Sequence, residues 1–181
     1  MASIPKPPKA PRPRLTGLYL AVGLLAFAVL AQATILPRVR LFGATANLVL
    51  VLVVVWSLLR SVDQGLILAF AGGLAVDLIA GLPLGASALA LMVVCFLTSL
   101  SEGNFFQGHV FLAIIAVSLA TPLHGWLVLL ARQLRGVPID WAGTTLHVII
   151  PELLLNVVLA SLIYPGLRRL IERLAVDRLE W

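Results

Sequence analysis

The sequence predicts an all-α integral membrane protein of about six transmembrane helices, and three observations carry that prediction. The chain is 61% hydrophobic and 12% charged, with a mean hydropathy of +1.06, whereas soluble domains run near ~45–50% apolar and ~25% charged. The apolar residues fall in long continuous runs, not in the roughly ten-residue alternating segments of a membrane barrel. A spanning helix takes about 20 apolar residues, so a chain of 181 residues is nearly filled by its spans. No room remains for a soluble catalytic domain.

Residues 1–16 form a basic, proline-rich tail that opens with MASIPKPPKAPRPR. The transmembrane domain, residues 17–165, divides into runs Leu18–Leu36, Ala44–Leu59, Gly65–Ala80, Leu84–Leu100, Val110–Leu130 and Leu146–Tyr164. The first run contains Ala31-Gln32-Ala33, which has the form of a signal-peptidase site. The apolar stretch continues through Thr34, Ile35 and Leu36 to full spanning length, so the segment is expected to be retained. The third run is short, and tilting or local bilayer thinning would accommodate it. Brief polar stretches, Arg60–Gln64 and Ser101–Gly108, read as turns. Residues 166–181 repeat apolar side chains at near-helical spacing, Leu167, Leu170, Ile171, Leu174 and Leu179, with arginines between them. That pattern predicts an amphipathic segment lying on the membrane surface.

Charge sets the orientation. With six spans, one side receives Lys6, Lys9, Arg12, Arg14, Arg60, Arg168, Arg169, Arg173 and Arg178, nine of the thirteen cations. The other side receives Arg38, Arg40, Arg132 and Arg135. The excess of lysine and arginine marks the cytoplasmic side, which places both termini there. Tyr19, Trp56, Trp126, Trp141 and Tyr164 serve as interfacial anchors.

Ionisable groups inside spans must be paired, hydrated or neutralised, which makes them functional candidates. They are Asp77, His124, His147 and Glu152, with Gln32, Asn47 and Asn156 as neutral company. The topology puts nearly all of them in the outer leaflet, with Asn156 deepest, and so suggests a polar cleft or interaction surface open to the outside. Gly65, Ala69, Gly73, Asp77 and Gly81 recur every four residues and form one ridge of the third helix. Small residues at that spacing let a second backbone approach closely. Gly81 to Gly85 then forms a tight turn in which a carboxylate can accept backbone N–H bonds. Pro122 and Pro151 free the carbonyls of Ser118 and His147, through either a kink or a pocket.

Enzyme chemistry finds little footing. There is no paired-aspartate arrangement, phosphate-binding glycine loop or H-E-x-x-H motif. The lone Cys95 rules out an intramolecular disulfide framework, and no Cys/His spacing suggests a metal. No cofactor and no nucleic-acid partner is expected.

The stretch GLILAFAGGLAVDLIAGLPLG, Gly65 to Gly85, resembles the glycine-rich block G…GFxxGLLxDLLSGxPLG of the MreD family. Asn47-Leu-Val-Leu-Val-Leu-Val-Val-Val is similar to that family's second-span PDLLLVLVV. Ala46 and Asn47 stand where the family has Pro-Asp, and Ala80 where serine is common. The resemblance implies a non-enzymatic assembly subunit of the bacterial rod-shape machinery in the inner membrane. The implied partners are MreC first, then MreB and the peptidoglycan synthases, the lipid bilayer, and a second copy of the chain. Asp77, Gly73 and Gly81, with Glu152, His147 and His124, are the expected partner- or ligand-binding residues. The MreD family also looks similar in fold to the S components of energy-coupling transporters, which makes a small-solute or lipid binder the alternative. The first span lacks the Ala-x-x-x-Ala coupling pair usual in S components.

Overall fold

A computed structural model of the chain describes residues 15–38, 43–60, 62–100 and 110–176. The helices are α1 (Leu15–Thr34), α2 (Leu48–Leu59), α3 (Val62–Ala80), α4 (Ala86–Leu100), α5 (Val110–Leu134), the single turn α6 (Trp141–Thr144) and α7 (Ile150–Val176). A π-helical turn, Thr145–Ile149, joins α6 to α7 as one rod. No β-strand occurs among the described residues. Helices α1, α3 and α5 and the α6–α7 rod are long and apolar enough to cross a membrane, while α2 and α4 are shorter apolar helices. The fold is therefore an all-α membrane bundle of about six helices.

Helix α2 is its axis. Every residue from Val49 to Ser57 is buried, and α2 packs against α1, α3, α4, α5 and α7. Large side chains such as Phe27, Leu78, Leu89, Phe111 and Leu162 point outward from the surrounding helices. In lipid that exposure costs little, because the solvent is as apolar as leucine.

Helices α3 and α4 form an antiparallel hairpin fixed by small residues. Gly65 lies against Ser57 and the Cys95 sulfur, and Gly73 lies against the backbone of Ala88. Ala69, between them, is fully buried. Gly72, on a neighbouring face, meets Leu25 of α1 and Val49 of α2. The four-residue ridge thus brings α4 close, but it ends at Asp77. Gly81 has φ +63° with no heavy atom within 4 Å of its Cβ direction, so its function is conformational, not close packing.

Several expected boundaries shift. The third span is not short: α3 has 19 residues, and the short helices are α2 with 12 and α4 with 15. Asp63 and Gln64, read as a turn, enter the first turn of α3. An acidic residue suits a helix N-terminus, and the Gln64 carbonyl oxygen accepts a 3.2 Å bond from Trp56 Nε1. The last span does not stop at Tyr164. Helix α7 runs through Pro165 to Val176, with Tyr164 and Leu167 in the core and Ile171 packed against it. Residues 166–176 therefore continue the helix of the final span. Leu15 and Thr16, placed in the tail, open α1. The rest of the tail, the 101–108 turn and residues beyond 176 lie outside the described residues.

The Gly73 contact yields a direct test. Gly73→Ala places a methyl group on the Ala88 backbone and is expected to cost about 1–3 kcal/mol, read as a lower unfolding midpoint in detergent. Gly23→Ala, with nothing within 4 Å of the added Cβ, should leave the midpoint unchanged or raise it.

Candidate functional site

Helix α2 is 12 residues long, or about 18 Å at 1.5 Å per residue, so it begins within the bundle. The first amides of a helix lack intrahelical acceptors, and a lipid interior supplies none. Side chains from three helices supply them here. Asn47, the N-cap, accepts the Leu50 N–H at 3.0 Å through Oδ1. Gln32 of α1 accepts the Val49 N–H at 3.0 Å. Asn156 of α7 accepts the Asn47 N–H at 2.7 Å and donates through Nδ2 to Thr121 Oγ1 of α5 at 3.1 Å. The Thr121 hydroxyl donates in turn to the Val117 carbonyl at 2.9 Å. Glu152, half-buried, faces the side-chain amides of Asn47 and Asn156.

Asp77 performs the same service for α4. Its carboxylate accepts the Gly85 N–H at 2.8 Å and the Ser87 N–H at 3.0 and 3.2 Å. Its own carbonyl accepts the Leu82 N–H at 3.0 Å, five residues on, across Gly81 in the left-handed region. That is the Schellman closure of a helix C-terminus, which favours glycine. One residue thus closes α3 with its backbone and opens α4 with its side chain. The negative charge sits at the positive end of the α4 dipole. Asp77 is 1% exposed, so its carboxylate is an internal group.

The expected site residues separate in space. Asp77, Gly73 and Gly81 belong to the α3–α4 hairpin. His124, on α5, is buried and within electrostatic reach of Asp77. Glu152 joins the separate Asn47–Asn156 network. His147 lies exposed in the π-helical turn, which precedes Pro151. Proline has no N–H to return to the His147 carbonyl, and the Ile150 N–H instead reaches the Thr145 carbonyl. Pro122, in contrast, sits inside an uninterrupted α5.

Sequence reasoning gave Gln32, Asn47 and Asn156 no task and passed over Thr121 and Ser87. An asparagine immediately before a run of leucine and valine is a helix-start signal, and Asn47 could have been found that way. Beside the hairpin, a cleft of about 340 Å³ lies between α1 and α3, lined by Val29, Gln32, Pro37, Thr45, Val76 and Ile79. Its polar lip and apolar wall suit a mixed-polarity segment. Among the described residues no three His, Cys, Asp or Glu side chains are grouped to hold a metal.

Two substitutions probe these caps. Asp77→Ala leaves two buried N–H groups without acceptors, each worth about 1–3 kcal/mol, and Asp77→Asn, which keeps one acceptor oxygen, should fall between it and the wild type in thermal unfolding. Asn156→Leu preserves volume but orphans the Asn47 N–H, and the same measurement should show a loss of about 1–3 kcal/mol.

The family model described as rod shape-determining protein MreD matches residues 14–174. No curated protein and no solved structure matches the chain. The match covers α1 to α5, all but the last two residues of α7, and the whole of both capping systems, and on it the chain belongs to the MreD family of rod shape-determining membrane proteins.

Proposed function

We propose that this chain is a non-enzymatic assembly subunit of the cell-elongation complex in the bacterial cytoplasmic membrane. It docks MreC, works alongside MreB and the peptidoglycan synthases, and so supports wall synthesis along the side of the cell. Membership of the MreD family carries the role in rod-shape determination. The finer reading rests on one observation: the cleft between α1 and α3 adjoins a hairpin whose carboxylate is bonded inside the protein. A braced, polar-lipped cleft is a receptor for a segment of another protein, not a reaction centre.

In this reading the cation count directs both ends of the chain to the cytoplasm and the Asp77 end outward. A single-span partner with a large external part would bring its juxtamembrane segment to that end. Asp77, Gly73 and Gly81 act by holding the hairpin that walls the cleft, and Glu152 and His124 by bracing the bundle behind it. His147, exposed, is available for direct contact.

Affinity purification in mild detergent should recover MreC. Recovery of an energy-coupling module with its ATPases, and no MreC, would instead establish an S-component-like carrier of a solute or lipid. Ala33→Trp, which fills the cleft, should reduce MreC recovery about tenfold, equivalent to ~1.4 kcal/mol, with the unfolding midpoint unchanged. Undiminished recovery would remove the cleft from the docking site.

A further inference from the structure

The Asp77 region contains polar atoms that its hydrogen bonds leave over. Ser87 is fully buried and His124 is 7% exposed, yet Ser87 Oγ and His124 Nε2 have no hydrogen-bond partner. Buried polar side chains are almost always bonded, and two exceptions close together require a cause. Both residues are linked to the same carboxylate. The Ser87 N–H lies 3.0 Å from Asp77 Oδ1, and His124 lies within electrostatic reach of Asp77. The helix register places them at one height. Val94 and Thr98 of α4 share a groove with Leu112 and Ala116 of α5, and the antiparallel alignment carries Ser87 to the level of His124.

No direct hydrogen bond joins Ser87 Oγ to His124 Nε2. Polar atoms facing across a gap wider than a hydrogen bond are bridged by water in most proteins. Internal waters occur about once per ~27 residues and typically make about three bonds to such atoms. The bonding capacities here suit one molecule. A water can donate to the carboxylate of Asp77, accept from the Ser87 hydroxyl, and bond His124 Nε2 as donor or acceptor according to the imidazole tautomer.

We infer that Asp77, Ser87 and His124 form a binding site for a single ordered internal water, which joins the α3–α4 turn to α5. The bond is a distinct element of the fold. Asp77 ties α3 to α4 by direct bonds, whereas the water extends that tie to a third helix that the carboxylate does not reach. It also explains how a serine and a histidine are retained at fully packed positions in a lipid-embedded bundle.

A high-resolution structure of the full chain in lipid or detergent tests this directly. It should show solvent density within about 2.7–3.2 Å of both Ser87 Oγ and His124 Nε2. A direct Ser87–His124 bond, or no density there, overturns the inference. A double-substitution cycle reads the same bond energetically. Ser87→Ala and His124→Leu should each lower the unfolding midpoint by about 2–4 °C, and the double variant by little more than the larger single effect, because the shared water is lost once. A midpoint that rises in either single variant, as expected on removing an unsatisfied group, or effects that add, would also overturn it. Should either variant fail to fold, the wild-type density still decides.

Discussion

Lipid gives a backbone nothing to bond with, and α2 starts inside the bundle, where its first amides must be met by the protein itself. Asn47, Gln32 and Asn156 meet them, from α2, α1 and α7. Thr121 adds α5 to the same network. The consequence reaches beyond the energy of the individual bonds. Helix α2 is apolar on all sides, and a helix of that kind in an apolar solvent has no preferred facing from burial alone. The polar cap is what fixes its rotation and height, and the other helices assemble around an axis positioned in that way.

Asp77 solves the corresponding problem at the start of α4. An isolated carboxylate at that depth would be costly, but its oxygens are met by the backbone N–H groups of Gly85 and Ser87. Gly73 is part of the same arrangement. Without a side chain at Gly73, α4 approaches near enough for its first turn to reach the carboxylate. The glycine ridge and the aspartate are therefore one device, in which close approach supplies the geometry and the carboxylate supplies the bond.

Much of this was legible in the sequence, because it follows from local rules. Continuous apolar runs identify the helices, four-residue spacing identifies the α3 ridge, and a glycine turn beside Asp77 identifies a helix-start acceptor. The missed features depend on long-range partners. The length of α2 is set by Asn156, more than a hundred residues downstream, and no window around Ala44 contains that information. Helix α7 continues past Pro165 because Leu167 finds a place in the core, whereas its arginines alone suggest an interfacial segment. His147 and His124 look equivalent in sequence. His147 is exposed in the widened turn before Pro151, while His124 is buried on α5.

The buried position of Asp77 limits what it can do in rod-shape determination. A charge exposed at the surface would attract partners over distance, but Asp77 cannot, since it is buried and bonded to the Gly85 and Ser87 N–H groups. Its effect on any partner is transmitted through the shape of the α3–α4 hairpin and of the cleft wall formed by its near neighbours Val76 and Ile79. On the proposed docking reading, recognition at this end falls to neutral groups, the Gln32 amide and the Thr45 hydroxyl, and to apolar complementarity. Within a membrane such contacts discriminate by fit, because neither lipid nor partner gains from burying apolar surface alone. The aspartate matters most as the fastening that keeps that shape constant.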